Sequence, residues 1–403
     1  MRFKLPARQN KVTAPPPGEP ETCPRLPAFH PLLMWGVGLR KSPESQARLK
    51  DHKSKQIIYM APECIILERG APGYEESRRR FINSAVPDRY PYQIVHPRSS
   101  EEVAATVKRA VSLGKHISVR SGGHLFPFQH LQEDEILIDM KNVNASFDYD
   151  EETGLVNFGP GLTVKEAEQF LTPRKLFFPF GHAPTVGLGG FILVGGQGVF
   201  MPGWGVTADR WITQLEIVTA DGEIRLCNRD ENADLFWAAR GAGMGFFGVM
   251  TKLWARTVVA KKLYVLKWVF KAAIYVDALN WILDSAKLIR PHHTEVMIRS
   301  YYADKGTAAA EGRDEIQSHE VVIDVTINIY ADSLEEAREM SYPFDKSPLE
   351  PYQKEELHEA DWDELFGTTV LQPNNRLKCD SILSNPEVSR KEVHHPSVKC
   401  LNL

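Results

Sequence analysis

Gly181-His182-Ala183-Pro184-Thr185-Val186-Gly187-Leu188-Gly189-Gly190-Phe191-Ile192-Leu193-Val194-Gly195-Gly196-Gln197-Gly198 is the stretch that decides the fold of this chain. Seven glycines in eighteen residues alternate with large apolar side chains, which a flexible linker would not carry. Such a mixture suits a buried loop packed on a large ligand, because a missing Cβ lets backbone N–H groups approach an anion or a flat ring. The competing reading is a sharp buried bend needed only for folding.

A second glycine segment lies upstream, Arg120-Ser121-Gly122-Gly123-His124. Each segment follows an apolar run that reads as a strand, so the two pair naturally as a clamp. At a strand end, backbone donors can cradle a phosphate and Arg120 can add charge. A tight turn with an exposed histidine explains the first segment equally well. If the ligand is a flavin, His124 can act as a nucleophile toward the activated methyl carbon of the ring.

Gly243-Met244-Gly245-Phe246-Phe247-Gly248 satisfies the G-x-G-x-x-G dinucleotide fingerprint, but in the wrong setting. The fingerprint needs a strand before it and a helix after it. Here Asp234 to Arg240 reads as a helix and Val249 to Ala255 as a strand, so the Rossmann reading is set aside. There is no G-x-x-x-x-G-K-[ST], H-E-x-x-H or G-x-S-x-G, which weakens kinase and hydrolase readings.

At 403 residues, 43% apolar and 25% charged, the chain has room for two domains and a sizeable core. A net charge of −4 without a Lys/Arg-rich patch excludes nucleic acid as the default partner. The longest apolar candidate for a membrane span, Phe29 to Leu39, is short and broken by Pro31 and Gly36. Nor does Met1-Arg2-Phe3-Lys4-Leu5-Pro6 lead into a secretory h-region. The five scattered cysteines, Cys23, Cys64, Cys227, Cys379 and Cys400, suggest neither a disulfide framework nor a metal site. Together these features point to a cytoplasmic protein, in which the sequon Asn144-Ala145-Ser146 is chance. His292-His293 and His394-His395 read as surface pairs, and Trp204 and Trp237 as core aromatics.

Residues 1–56 read as a partly disordered lead-in, with order beginning near Ile57. Ser99-Ser100-Glu101-Glu102 has capping-box spacing and is followed by Val103, Val107 and Val111 at helical intervals. Strands are expected at His116 to Val119, Ile136 to Met140 and Leu155 to Phe158. Thr163 to Glu166 opens a further helix. Ala220-Asp221-Gly222 between two apolar runs signals a hairpin. Beyond residue 258 the glycine punctuation stops, and Leu263 to Phe270, an alternating strand at Glu320 to Tyr330, and a helix at Ser333 to Met340 suggest a second, antiparallel domain over 259–372. Residues 373–403 show no periodicity.

Taken together, Arg120 to His124, Gly181 to Gly198, Val218 to Gly222, Asp234 to Ala238 and Gly241 to Val249 resemble, in the correct order over roughly Pro72 to Thr257, the flavin domain of berberine-bridge-enzyme-like oxidoreductases. These belong to the vanillyl-alcohol-oxidase superfamily, with its PCMH-type FAD-binding fold. The resemblance implies an α+β architecture: an FAD-binding domain of two α+β subdomains over 57–258, then an incomplete antiparallel sheet-and-helix substrate domain. It places the FAD pyrophosphate near Arg120 to Leu125. Cofactor contacts are carried over to Arg120, Ser121, Gly122, Gly123, His124, Leu125, Thr185, Val186, Gly187, Gly189, Gly190, Gly195, Gly198 and Val249.

In this family the histidine matched by His124 bonds covalently to the flavin 8α-methyl, which raises the reduction potential and favours hydride removal from an alcohol or amine carbon. Many relatives carry a cysteine at Ala183 that bonds flavin C6; alanine cannot, so a single link through His124 is expected. Val186 matches the position where a small residue admits dioxygen, implying an oxidase acting on a small-molecule substrate, in the manner of fungal secondary-metabolism members. No catalytic base can be named, because Ser384 to Leu403 does not resemble the family's closing segment. The alternative implied by that departure is a truncated member that binds FAD without turnover.

Overall fold

The structure, a computed structural model, describes residues 64–303 and 320–368. The lead-in of residues 1–56, the tail of 373–403, Ile57 and the pair His394-His395 lie outside the described residues. The first sheet contains β1 (Ile65–Glu68), β2 (Gln93–His96), β3 (Ile117–Arg120) and β4 (Ile136–Asp139), in the order β1-β2-β4-β3. β4 runs parallel to both its neighbours, so β2 must reach β3 by a crossover, and the helix Ser100–Ser112 supplies it. Ser99 Oγ accepts the Glu102 N–H, while the Glu102 carboxylate accepts from the N–H of Arg98, 2.7 Å away, one residue further out than the box predicts. Val103, Val107 and Ala110 are buried against Val95, Ile136 and Ile138. Val111 is exposed, because a 3.6-residue period starting from Val103 and Val107 arrives at Ala110 instead.

A second, wholly antiparallel sheet contains β5 (Phe147–Asp150), β6 (Leu155–Phe158), β8 (Ile212–Val218), β9 (Ile224–Cys227) and β10 (Val249–Arg256), in the order β5-β6-β10-β8-β9. β8 and β9 form the expected hairpin, with Gly222 at φ +73° in its turn. The helix Val164–Leu171 opens with a reciprocal capping box between Thr163 and Glu166. Two short strands, β7 (Leu176–Phe177) and β11 (Val258–Val259), pair with each other.

The third sheet has the order β13-β14-β12-β15, with β12 (Lys262–Lys271), β13 (Thr294–Tyr302), β14 (Val321–Ala331) and β15 (Gln353–Ala360) all antiparallel. Helices Tyr275–Ala286 and Leu334–Ser341 cover one of its faces over Ile323, Val325, Ile327 and Ile329. The expected half-exposed alternation of β14 is not seen. Every residue from Val322 to Ala331 is buried, because β14 is central and its second face closes over Asp324, Thr326, Asn328 and Tyr330. Tyr330, Leu263, Leu365 and Phe366 join the core of the second sheet around Phe177, Phe180 and Phe200.

Trp204 packs on Phe177 and Trp211, as expected of a core aromatic. Trp237 is 77% exposed: its short helix turns Phe236 inward, leaving Trp237 on the solvent side. Among the described residues no cluster of His, Cys, Asp and Glu could hold a metal, and no helix is long and apolar enough to cross a membrane.

Candidate functional site

The two glycine segments meet. Between them lies a cavity of about 590 Å³, walled by the end of β3, residues 121–125, residues 186–194 and residues 243–250. This size suits a cofactor or a drug-sized ligand.

The glycines of the clamp do two different jobs. A Cβ on Gly122 would overlap the Gly187 nitrogen, and a Cβ on Gly187 would overlap Ser121 Oγ, so these residues let the two loops pack on each other. Gly189 and Gly198 similarly admit Pro160 and Pro179, whose atoms would lie 2.5 Å from an added Cβ. Gly190 differs: a Cβ there meets protein only at Ser121 Cβ, 3.9 Å away, and otherwise points into space that a ligand can fill. Of the ligand contact and the buried bend that the sequence left open for these glycines, most of the close approach is protein against protein.

His124 lines the cavity, half-buried, with Nε2 placed 2.7 Å from Thr185 Oγ1 on the opposite loop. Burial pushes its imidazole below the ordinary histidine range, partly offset by the Thr185 backbone. A neutral imidazole is the form with a lone pair to give. Ser121, Gly122, Gly123, Leu125, Val186, Gly187, Gly189 and Gly190 also line the cavity.

Four expected contacts lie off the cavity wall, and Thr185 touches His124 rather than the cavity. Val249 pairs with Val218 and is buried in the core of the first sheet. Because a strand alternates sides, its neighbours Gly248 and Met250 face the cavity instead. Gly195, at φ +104°, and Gly198 shape the bend behind the loop rather than the cavity wall.

Arg120 reaches the cavity wall, but its charge is already committed. Its Nε donates to Asp139 Oδ2 at 3.1 Å, its Nη2 bonds the same oxygen and Ser77 Oγ, and Arg80 pairs with that carboxylate too. Burial opposes ionisation of Asp139, yet the Arg120 and Arg80 guanidiniums outweigh it and hold the carboxyl below its usual range. Two guanidiniums share one carboxylate, leaving a unit of positive charge beside the cavity. Arg120 Nη1 is buried with no hydrogen-bond partner, a donor facing no protein acceptor. Positive charge, an orphaned donor and the open cradle at Gly190 fit a phosphate-bearing cofactor.

Sequence reasoning missed Met140, His130, Phe246 and Met250 on the wall. Phe191, Leu193 and Val194 were noted only as apolar spacers. Met244, Phe246 and Gly248 belong to the segment set aside as a false dinucleotide fingerprint, and the structure confirms its reversed context, with the helix Ala233–Ala238 before it and β10 after. It serves this cavity by a different geometry.

Residues 91–228 match the family described as FAD binding domain. The chain is 37% identical over 235 residues to the FAD-linked oxidoreductase ptmO of Penicillium ochrochloron, covering 58% of this chain and 51% of that protein. It is 38% identical over 224 residues to nodO of Hypoxylon pulicicidum, covering 54% and 49%. In fold it is similar to Physcomitrella patens BBE-like 1, with a TM-score of 0.64 at 21% identity over 80% of this chain and 65% of that one. It is likewise similar to the Acremonium strictum glucooligosaccharide oxidase, with a TM-score of 0.63 at 23% identity over 76% and 60%. The clamp thus sits in a fold of the PCMH type, within a segment that matches an FAD binding domain. The chain is similar to FAD-linked oxidoreductases over its FAD-binding part, and it spans about half the length of the curated relatives it matches.

Proposed function

We propose that this chain is an FAD-linked oxidase in which His124 is the sole covalent tether of the cofactor. The observation that carries the reading is His124 standing on the wall of the cavity, held by Thr185, with burial disfavouring its protonated form. When bound, FAD accepts a hydride at N5 from an alcohol- or amine-type carbon and passes the electrons to dioxygen. The residues of the chain hold and orient it: the loops 121–125 and 186–190 enclose it, and the charge of the Arg80, Arg120 and Asp139 cluster favours its phosphates. Val186 lines the cavity half-buried, and its small side chain supports the reading that dioxygen can approach the flavin there. The Acremonium oxidase carries a 6-S-cysteinyl, 8α-N1-histidyl FAD. Ala183 offers no sulfur for the first of these links.

One observation favours a second reading, FAD binding without turnover. The titratable side chains on the cavity wall are Arg120, His124, His130 and Glu135, and His130 Nε2 is buried without a hydrogen-bond partner. The two readings separate on an oxygen electrode with purified, flavin-loaded protein and a panel of alcohols and amines. Dioxygen uptake with peroxide release supports the oxidase; an inert protein whose flavin still photoreduces supports the second.

A further inference from the structure

We propose that Thr185 is a positioning residue for flavin attachment: by taking the Nε2 proton of His124 in a hydrogen bond, it presents Nδ1 to the cavity and makes Nδ1 the linked atom. The inference rests on the reading of His124 as the tether.

Both partners of the 2.7 Å contact sit on rigid backbone. On the Thr185 side, the N–H groups of Val164 and Lys165, at the start of a helix, donate to the carbonyls of Val186 and Pro184 at 3.0 and 2.9 Å, bracketing the threonine. On the His124 side, the Ile82 N–H donates to the Gly123 carbonyl at 3.1 Å, and Arg80 O would lie 2.8 Å from a Cβ on Gly123. The imidazole is therefore clamped from two loops. The side-chain hydrogen bond of His124 to Thr185 runs through Nε2, and the side chain lines the cavity.

A neutral imidazole carries its proton on one nitrogen and its lone pair on the other, and the hydrogen bond made by one nitrogen sets the role of the other. With Nε2–H donated to Thr185, the lone pair lies on Nδ1. Nδ1 then supplies the electron pair of the new bond to the 8α carbon. One proton leaves that carbon and one leaves Nε2. The flavin takes up both protons with two electrons, and dioxygen removes them as hydrogen peroxide. Thr185 Oγ1 stands where the Nε2 proton must depart.

The test compares the full chain with Thr185→Ser and Thr185→Val, each supplied with FAD. Absorbance before acid precipitation reads total flavin, and absorbance of the pellet over time reads linked flavin. Wild type and Thr185→Ser should link fully at Nδ1, with the position read by NMR of the flavin peptide. Thr185→Val should bind FAD but link about tenfold more slowly, the loss of one hydrogen bond. Equal linking at Nδ1 in Thr185→Val overturns the role of Thr185. A wild-type peptide linked at Nε2 overturns it without any variant, should Thr185→Val fail to fold. A colourless wild-type pellet from yellow protein instead rejects the tether reading itself.

Discussion

His182 Nε2 stands 2.9 Å from Glu295 Oε1, joining the glycine-rich loop to β13 of the third sheet. The same oxygen accepts the Phe200 N–H at 3.2 Å, so one buried carboxylate anchors two segments behind the cavity. Removing it strands a backbone donor and an imidazole. Glu295→Ala should lower stability by about 1–3 kcal/mol in urea unfolding, with Glu295→Gln losing less because an amide oxygen still accepts. An unchanged midpoint in Glu295→Ala would show that the contact is idle.

The glycine contacts separate loop packing from open space. Gly122→Ala places a methyl on the Gly187 nitrogen, and neither backbone can yield alone. It should destabilise by about 1–3 kcal/mol or more and lose bound flavin. Gly245, in the false fingerprint, has nothing within 4 Å, and Gly245→Ala should keep both stability and flavin. Thermal melts with a flavin stoichiometry decide the pair.

Asp139 holds two guanidiniums in a buried setting. Asp139→Asn leaves Arg120 buried without a counter-charge, a change that costs about 3–5 kcal/mol. Poor folding or a steep drop in the unfolding midpoint is expected, and near-wild-type stability would contradict the account of this cluster.

His130 is pushed down to about 4, first by burial and then by the Arg120 charge. Burial also lowers His96 and His124. Each therefore binds a proton less readily in the folded than in the unfolded chain, so stability is lost as pH falls below about 6.5, and for His130 this continues toward 4. Each such proton contributes a slope of up to about 1.4 kcal/mol per pH unit. Replacing His130 by asparagine should flatten stability against pH by about one proton's share, as read by unfolding between pH 4 and 7; an unaltered slope would mean that His130 is charged in the folded state.

Much of this was legible in the sequence, where local chemistry decided the outcome. The Thr163 and Glu166 capping box, the hairpin at Gly222 and the meeting of the glycine segments follow from residue type and spacing. What escaped depends on partners distant in sequence. Arg120 looked free because Asp139 and Arg80 become its neighbours only when β3 lies beside β4. Val249 was placed on the cavity because its segment was matched as a whole, while strand alternation hands the wall to Gly248 and Met250. Gly122 and Gly187 looked like ligand contacts because the sequence cannot show that each is the other's neighbour.

The most direct test of the account is the fate of flavin when the yellow protein is precipitated in acid and digested with trypsin. Flavin should stay in the pellet on the peptide running from Ser121 to Lys141, attached at His124, and should wash out of His124→Ala protein that still binds FAD. Free flavin in the wild-type supernatant, with that peptide unmodified, would contradict the central claim.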